Sequence, residues 1–201
     1  MTLELLFLLT GFALATVITP GPNNLMLMAS GANFGFRRTV PHMLGITLGF
    51  PCMIVLVGLG VMQVFDLWPP AYMILMALSV VYLLYLAWKI ANAAPPKEAK
   101  VEGKPLTFLQ SAAFQWVNPK AWSMALSAIT LYATSRDLGA VLWVAGVYVV
   151  VSVVSTTSWT VLGQQMRRFL TSPKRLRIFN RVMAALLVAT LVLVLRQQGA
   201  G

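Results

Sequence analysis

The chain has 201 residues, of which 59% are hydrophobic and 10% are charged, and its formal net charge at pH 7 is +10. A soluble domain of this length cannot bury so much apolar surface, so the composition predicts an integral membrane protein. The net charge would also suit a nucleic-acid-binding protein, but the basic residues fall in short clusters between apolar runs. That pattern is typical of cytoplasmic membrane loops facing anionic lipid, so nucleic acid is not expected as a partner.

Six apolar segments are expected to cross the membrane as helices, because most exceed the roughly 20 residues that a bilayer core requires. They are residues 3–30, 39–65, 68–90, 108–134, 138–162 and 178–195. The last is the weakest prediction, since Arg181 and Arg196 would have to reach from its ends toward water. The first has no basic residue before its apolar run, so we interpret it as a retained span and not as a signal peptide. The predicted fold is an all-α membrane protein with a single transmembrane domain over residues 1–201.

Lysine and arginine lie almost entirely in alternate connections between these segments. The first, third and fifth connections contain two, four and six of them, whereas the fourth connection and the C-terminal tail contain one each. Cytoplasmic loops carry the excess of basic residues in membrane proteins. The odd connections are therefore predicted to be cytoplasmic, and both termini periplasmic.

The middle of the chain carries a linker-like stretch, residues 93–105, with two adjacent prolines and charges of both signs. It separates halves of about residues 1–92 and 106–196. A shift of 99 residues places Pro119 on Pro20 and the second and third segments on the fifth and sixth, although few residues are identical. Three spans in each half would make the halves enter the membrane from opposite sides. This predicts a 3+3 inverted repeat, the plan of many secondary transporters.

The first segment is interrupted by the hexapeptide Thr19-Pro20-Gly21-Pro22-Asn23-Asn24. Proline inside a helix costs roughly 3 kcal/mol, and each unsatisfied backbone group in hydrocarbon costs several kcal/mol more. Pro22 suits the first position of a new half-helix, whose following amides would present donors and a positive dipole end to a carboxylate. The alternative is that the two prolines only kink the helix.

The fourth segment has a break of its own, Gln115-Trp116-Val117-Asn118-Pro119-Lys120. Paired interruptions at corresponding positions of two halves indicate a transport site. Both breaks are expected at about the same depth, roughly 14 to 17 Å from the cytoplasmic ends of their segments. Lys120 is the one charge well inside a segment and is a functional candidate, although it could instead snorkel along a water-filled crevice. The predicted substrate-binding residues are Pro20, Gly21, Pro22, Asn23, Asn24, Asn118, Pro119 and Lys120.

Three further patterns have simpler interpretations. Gly45 and Gly49 form a GxxxG motif, which permits close helix contact within the monomer, the favoured role, or across a homodimer. Ser152, Ser155 and Thr156 share a helical face that could line a path or bond to neighbouring helices. Five aromatic residues are expected to be interfacial anchors: Trp68, Tyr72, Trp88, Trp143 and Trp159.

Enzymatic chemistry is not expected. The five acidic residues all lie outside the spans or at their ends, and the chain has a single histidine, His42, and a single cysteine, Cys52. No catalytic triad, metal-ligand set or phosphate loop can be assembled from them, so no cofactor or metal is predicted. A thiol-redox carrier is disfavoured because Cys52 has no partner in the sequence. A non-transporting membrane scaffold or subunit, with breaks that serve packing, remains as the alternative function.

The two breaks together resemble those of the LysE/RhtB family of amino-acid exporters in bacterial inner membranes, and the resemblance spans nearly the whole chain. It rests on the TPGPNN hexapeptide, on Gly35-Phe36-Arg37-Arg38, on Gly45 to Gly49 and on Phe114 to Lys120. Residues 86–91, 48–50 and 104–105 are similar to the cysteine/O-acetylserine exporter branch.

The resemblance implies export of neutral amino acids or small derivatives, cysteine/O-acetylserine-like or homoserine/threonine-like, driven by the proton gradient with protons as co-transported partners. Many relatives carry an aspartate directly after the second glycine of the GxxxG motif, where this chain has Phe50. That difference argues against a lysine or arginine exporter.

Overall fold

The computed structural model of the protein is all-helical over the residues it describes, which are 2–61, 63, 67–68, 70–93, 103–133 and 137–199. We number its α-helices in chain order. They are α1 (Leu3–Ile18), α2 (Pro22–Phe34), α3 (Phe36–Leu56), α4 (Pro70–Ala91), α5 (Phe108–Phe114), α6 (Pro119–Tyr132), α7 (Leu138–Met166) and α8 (Pro173–Gly199). A π-helical turn (Val57–Val61) follows α3, and a 3-10 turn (Gln115–Val117) follows α5.

Side chains at several helix starts explain where the helices begin. The Thr2 hydroxyl accepts a hydrogen bond from the amide of Leu5, and the Asp137 carboxylate accepts one from Ala140 at the start of α7. Thr107 and Gln110 form a reciprocal capping box at the start of α5. Such caps satisfy first-turn amides that have no partner in their own helix. Gly35, with φ of +80°, makes the turn between α2 and α3, a conformation that favours glycine.

The core is organised around α7, which packs against α1, α2 and α3. One buried cluster joins α1, α3, α6 and α7 and includes Leu9, Phe50 and Tyr148, the last two in edge-to-face contact. A second cluster joins α2, α4 and α8 and includes Leu83 and Leu187. The two clusters place the break between α1 and α2 in the middle of the bundle.

Glycines set the closest helix contacts. A Cβ atom on Gly31 of α2 would collide with the carbonyl oxygen of Thr160, and one on Gly163 of α7 would collide with that of Met28. Gly45 and Gly49 of the GxxxG motif face Ser111 and Ala112 of α5 in the same way. The motif is therefore used for contact within the monomer, as its favoured interpretation predicted.

Within the described residues, four helical stretches are long and apolar enough to cross a membrane: Phe36–Val61, Met73–Ala91, Leu138–Met166 and Pro173–Leu193. A fifth span results if α1 and α2, bent by 57° at their break, are counted as one. The predicted fourth segment is divided into helices of 7 and 14 residues, each too short to cross a 30 Å core alone. The all-α fold is confirmed, and the six-span 3+3 repeat stays a prediction.

The sixth segment forms a longer helix than its sequence predicted. Its helix begins at Pro173, five residues before the predicted start, and its apolar part qualifies as a span. The early start follows because Ser172 bonds the amide of Arg175 through its side chain and that of Leu176 through its carbonyl. Several sequence predictions concern parts outside the described residues: most of the linker 93–105, the end of the second segment, Asp66, Arg136 and the side chain of Tyr72.

The described parts of the connections predicted to be cytoplasmic lie together at one end of the bundle. The amide of Phe36 donates to the Gln164 side chain at 2.7 Å, and the side-chain amides of Asn33 and Asn180 bond each other at 2.8 and 3.1 Å. Gly103 lies against the ring of Phe34. The first, third and fifth connections thus share an end, which is required if the segments between them cross the membrane. Which side that end faces stays a prediction.

The close contact at Gly163 predicts that alanine substitutions at two glycines of α7 differ in their effect on stability. Gly163→Ala forces a methyl group against the Met28 carbonyl and should destabilise the protein by about 1–3 kcal/mol. Gly146→Ala, on the same helix with open space at its Cβ position, should be neutral or gain up to about 1 kcal/mol from helix propensity. Unfolding midpoints in detergent measure both, and equal shifts would contradict the packing described.

Candidate functional site

The two breaks meet through the side chain of Lys120. Its ammonium donates hydrogen bonds to the carbonyl oxygen of Thr19 at 2.9 Å, to the Thr19 hydroxyl at 2.8 Å and, at the long distance of 3.5 Å, to the carbonyl of Pro20. Gly21 leaves the room for this approach, because a Cβ atom there would lie 2.8 Å from Cδ of Lys120. The backbone of Gly21 is extended, with φ of −172°, so the missing side chain matters for space and not for conformation.

The carbonyl groups freed at the end of α1 are satisfied by side chains from elsewhere. Asn24 donates to the carbonyls of Val17 at 2.7 Å and Thr19 at 2.9 Å, and Ser155 of α7 donates to Val17 at 2.8 Å. The indole of Trp159 donates to the carbonyl of Ile18 at 3.1 Å. With Lys120, every carbonyl from residue 17 to residue 20 has a donor, as backbone at membrane depth requires.

A pair of side-chain amides makes a second link between the breaks. Asn23 donates to Oε1 of Gln115 at 2.8 Å, and Gln115 returns a bond to Oδ1 of Asn23 at 3.3 Å. Gln115 is fully buried and also donates to the carbonyl of Ser111 at 2.8 Å. Because amide pairs need both partners in one orientation, this link fixes the start of α2 against the end of α5.

The two half-helices that leave the breaks begin in similar ways. Pro22 and Pro119 occupy the first turns of α2 and α6, where the missing amide costs nothing. Asn118 caps α6 by accepting from the amide of Lys120 at 3.2 Å, whereas Gly21 gives α2 no side-chain cap. The first-turn amides of α2, at Asn23 and Asn24, therefore have neither an intrahelical carbonyl nor a cap, which is the arrangement that suits an anion.

A small cavity of about 30 Å³ lies between the breaks. Its lining residues are Val17, Gly21, Asn23, Asn24, Ile46, Phe50, Asn118, Lys120, Met124, Ser152, Ser155 and Thr156. Lys120 is the one charged residue among them. The volume is far below the roughly 150 Å³ of a cavity that holds benzene, so the space between the breaks admits little more than water.

Five of the eight predicted substrate-binding residues line this cavity: Gly21, Asn23, Asn24, Asn118 and Lys120. The three prolines do not. Pro20 is exposed, and Pro22 and Pro119 are buried as first-turn residues, so their role in this structure is to create the breaks. Whether any of the eight binds substrate stays a prediction. Sequence reasoning did not place Ile46, Phe50 or Met124 at the breaks, because only the packing of α3 and α6 brings them there.

The hydroxyl-rich face of α7 lines the cavity and also bonds to neighbouring helices, so both of its interpretations apply. Ser152, Ser155 and Thr156 are buried in the lining, and the Thr156 hydroxyl lies 3.4 Å from that of Thr47 on α3. Trp159, predicted to be an interfacial anchor, is half-buried and contacts the interior of the bundle, and its place relative to the interface stays a prediction. Its ring packs against the cluster of Leu27, Met43 and Ile46, because its N–H supplies the donor that the Ile18 carbonyl needs. The other described tryptophans on that list are more than half exposed, as anchors would be.

A family model described as a LysE type translocator matches residues 14–198 of the chain. The cysteine/O-acetylserine efflux protein of Escherichia coli strain K12 is 33% identical over 194 residues, which cover 94% of this chain and 96% of that protein. The protein of the same name from Shigella sonnei strain Ss046 has the same identity and coverage. That from Shigella flexneri serotype 5b is 33% identical over 88% of this chain and 90% of its own length. No solved structure matches the chain.

The hydrogen bonds to the carbonyl groups of the first break predict that its donor side chains contribute unequally to stability. Asn24→Leu keeps the side-chain size but removes donors from the carbonyls of Val17 and Thr19, and should lower the free energy of unfolding by about 1–3 kcal/mol. Ser155→Ala should cost less, because the Val17 carbonyl retains Asn24. The double variant should lose more than the sum of the two, since Val17 is then left with neither donor. Strict additivity in thermal unfolding would show that the two side chains do not share this carbonyl.

Proposed function

The chain belongs to the LysE type translocator family, and on that premise we propose that it exports neutral amino acids or small amino-acid derivatives across the bacterial inner membrane. Cysteine, O-acetylserine, homoserine and threonine are the substrates proposed first. The observation that carries the proposal is the meeting of the two breaks at Lys120, where one cation and the uncapped start of α2 lie at a small cavity. The named relatives are efflux proteins for cysteine and O-acetylserine.

In the proposed complex the substrate carboxylate takes the place of break oxygens as a partner of Lys120. All three acceptors of the ammonium belong to Thr19 and Pro20. A charged carboxylate is a stronger acceptor than a carbonyl or a hydroxyl, so the exchange is favourable. After this exchange the Thr19 carbonyl still accepts a hydrogen bond from the side chain of Asn24. The first-turn amides of α2 supply further donors to the same carboxylate.

The remaining lining supports a neutral substrate. Hydroxyl and amide oxygens of Ser152, Thr156 and Asn118 accept hydrogen bonds from a substrate amino group. No carboxylate occurs among the described residues that line the cavity, and Phe50, 2% exposed, occupies the position where the resemblance would allow an aspartate. A second positive charge on the substrate would therefore lie near Lys120 without a counter-charge, which disfavours lysine and arginine.

The proposed transporter has six spans in a 3+3 inverted repeat, halves of about residues 1–92 and 106–196, and both termini in the periplasm. The order of elements supports it, since a broken helix followed by two long helices occurs twice. In such folds the site lies at broken helices near the midplane and is opened alternately by rocking of the halves. The proton gradient is proposed as the energy source on the resemblance alone.

The proposal predicts that Lys120→Ala and Asn23→Ala reach the membrane at normal levels but lose efflux. The fold survives in Lys120→Ala because the Thr19 carbonyl keeps its bond from Asn24, whereas the substrate loses the one charged side chain among the described lining residues. The measurement is release of labelled O-acetyl-L-serine and of each neutral amino acid from loaded cells. Lys174→Ala, which removes an exposed lysine at the start of α8, is the matched control.

Wild-type efflux by either variant would overturn the assignment of the breaks as the substrate site. A variant that loses efflux together with a large drop in unfolding midpoint would instead identify Lys120 as a structural link between the halves. If the unaltered protein releases none of the panel, the scaffold alternative replaces the transport function.

A further inference from the structure

A second and much larger cavity, of about 270 Å³, lies away from the breaks. Its walls are the C-terminal half of α2, the first turns of α3, the end of α4 and the chain that leads into α5. This volume exceeds the roughly 150 Å³ of a cavity that holds benzene, so an amino acid fits. The break cavity, at about 30 Å³, does not admit one without rearrangement.

His42 gives this cavity a polar group with no partner. Its ring is 1% exposed, and neither Nδ1 nor Nε2 has a hydrogen-bond partner among the described residues. An unsatisfied polar group in a buried position costs about 1–3 kcal/mol, and native proteins retain few of them. The ring belongs to the lining of the cavity, and both of its nitrogens are covered by neighbouring atoms without being hydrogen-bonded to them.

The groups around His42 are arranged as a fixed wall. Ser30, also in the lining, bonds the Thr39 hydroxyl at 2.8 Å, and Thr39 donates to the carbonyl of Gly35 at 2.9 Å. Because Thr39 donates to Gly35, the Ser30 hydroxyl donates to Thr39, and the Ser30 oxygen remains free to accept a hydrogen bond. Asn33 is held by its amide pair with Asn180 of α8. These bonds keep the Ser30 oxygen and the Asn33 side chain in place before any ligand arrives.

The electrostatic character of the cavity matches a zwitterion. Lys89 and Lys104 are exposed and belong to the lining, whereas none of the described lining residues is acidic. A carboxylate is therefore attracted to the two lysines. An amino group can donate to the Ser30 oxygen and, once the His42 ring turns toward the cavity, to an imidazole nitrogen. Met26, Leu86 and Leu106 supply apolar surface for a short side chain.

The position of the cavity connects it with the breaks. On α3, His42 lines the large cavity, and Ile46, one helical turn further on, lines the small one. On α2, Asn23 and Asn24 line the small cavity and Asn33, about 15 Å further along the axis, the large one. The large cavity lies at the end where the basic connections gather, which the charge distribution predicts to be cytoplasmic.

We propose that this cavity is a second binding site for a zwitterionic amino acid, which loads the substrate from the cytoplasm before it reaches the breaks. The inference rests on the proposed export function. Its recognition groups are Lys89 and Lys104 for the carboxylate and His42 with Ser30 for the amino group. His42 is a binding residue in this scheme, and its unpaired nitrogens lower the stability of the protein without ligand.

The first test is accessibility of a thiol in the cavity, with O-acetyl-L-serine as the probe. The parent protein carries Cys52→Ser, which removes an exposed cysteine. Ser30→Cys in this parent should react with a membrane-impermeant methanethiosulfonate in inside-out vesicles but not in intact cells, and O-acetyl-L-serine should slow the reaction several-fold. Ala32→Cys, two residues further along α2 in the buried core and outside the lining, should stay unreactive.

Reaction without protection by O-acetyl-L-serine, or no reaction at all, overturns the loading site. Efflux by the Cys52→Ser parent is measured in parallel and judges the proposed function separately. Efflux without protection removes the loading site alone. Protection without efflux keeps the site and removes the transport function.

The second test uses His42→Leu, which replaces the ring by an apolar side chain of similar size. Without ligand its unfolding midpoint should equal or exceed that of the unaltered protein, because an unsatisfied polar group is removed. Its apparent affinity for O-acetyl-L-serine on the cytoplasmic side should fall about tenfold, with His42→Gln falling less because one amide can replace one ring contact. A lower midpoint with unchanged affinity would make His42 a structural residue and overturn its role.

Discussion

The structure depends on one constraint, the need to satisfy four backbone carbonyls where the first helix stops inside the apolar bundle. Two prolines and a glycine end α1 after Ile18, and no helix continues to bond residues 17 to 20. In a hydrocarbon environment each unpaired group would cost several kcal/mol. Donors come from three directions: Asn24 from α2, Ser155 and Trp159 from α7, and Lys120 from α6. The break thereby fixes how the two halves of the chain sit against each other.

The same donors give the break its proposed chemistry. A side chain that donates to a carbonyl can exchange that carbonyl for another acceptor. A backbone amide inside a helix cannot do so unless the helix unwinds. Lys120 contributes most, because its acceptors are split between a hydroxyl, a carbonyl and a long third contact. A substrate carboxylate would compete for this ammonium, and its release would restore the link. Binding and the contact between halves are then alternatives, which is what a site at the interface of two moving repeats requires.

Much of this arrangement could be predicted from sequence. The positions of the prolines marked both breaks. The alternation of basic connections, together with the rise per residue of a helix, predicted a common depth for them. The hydrogen bond between Lys120 and Thr19 shows that the two breaks meet. Individual partners could not be predicted, because they depend on helix rotation: Gln115 lies opposite Asn23, and Trp159 turns inward to Ile18 when it looked like an interfacial aromatic. Nothing in the sequence indicated that His42 lines a cavity, because that cavity is formed by four separate stretches of chain. The fourth segment looked like one span by composition, yet its break leaves two helices too short to qualify alone.

The central claim, that the two breaks face each other, is tested most directly by cross-linking. In the Cys52→Ser protein, Gly21→Cys together with Lys120→Cys places one thiol on each break, at the positions that the Lys120 side chain now joins. The account predicts an intramolecular cross-link by a short bifunctional thiol reagent, which replaces the length of the lysine side chain, and no cross-link in the control pair Gly11→Cys with Lys120→Cys, because a Cβ atom at Gly11 would meet no described neighbour within 4 Å. Thiols at 21 and 120 that stay as reactive as those of the control pair would contradict it.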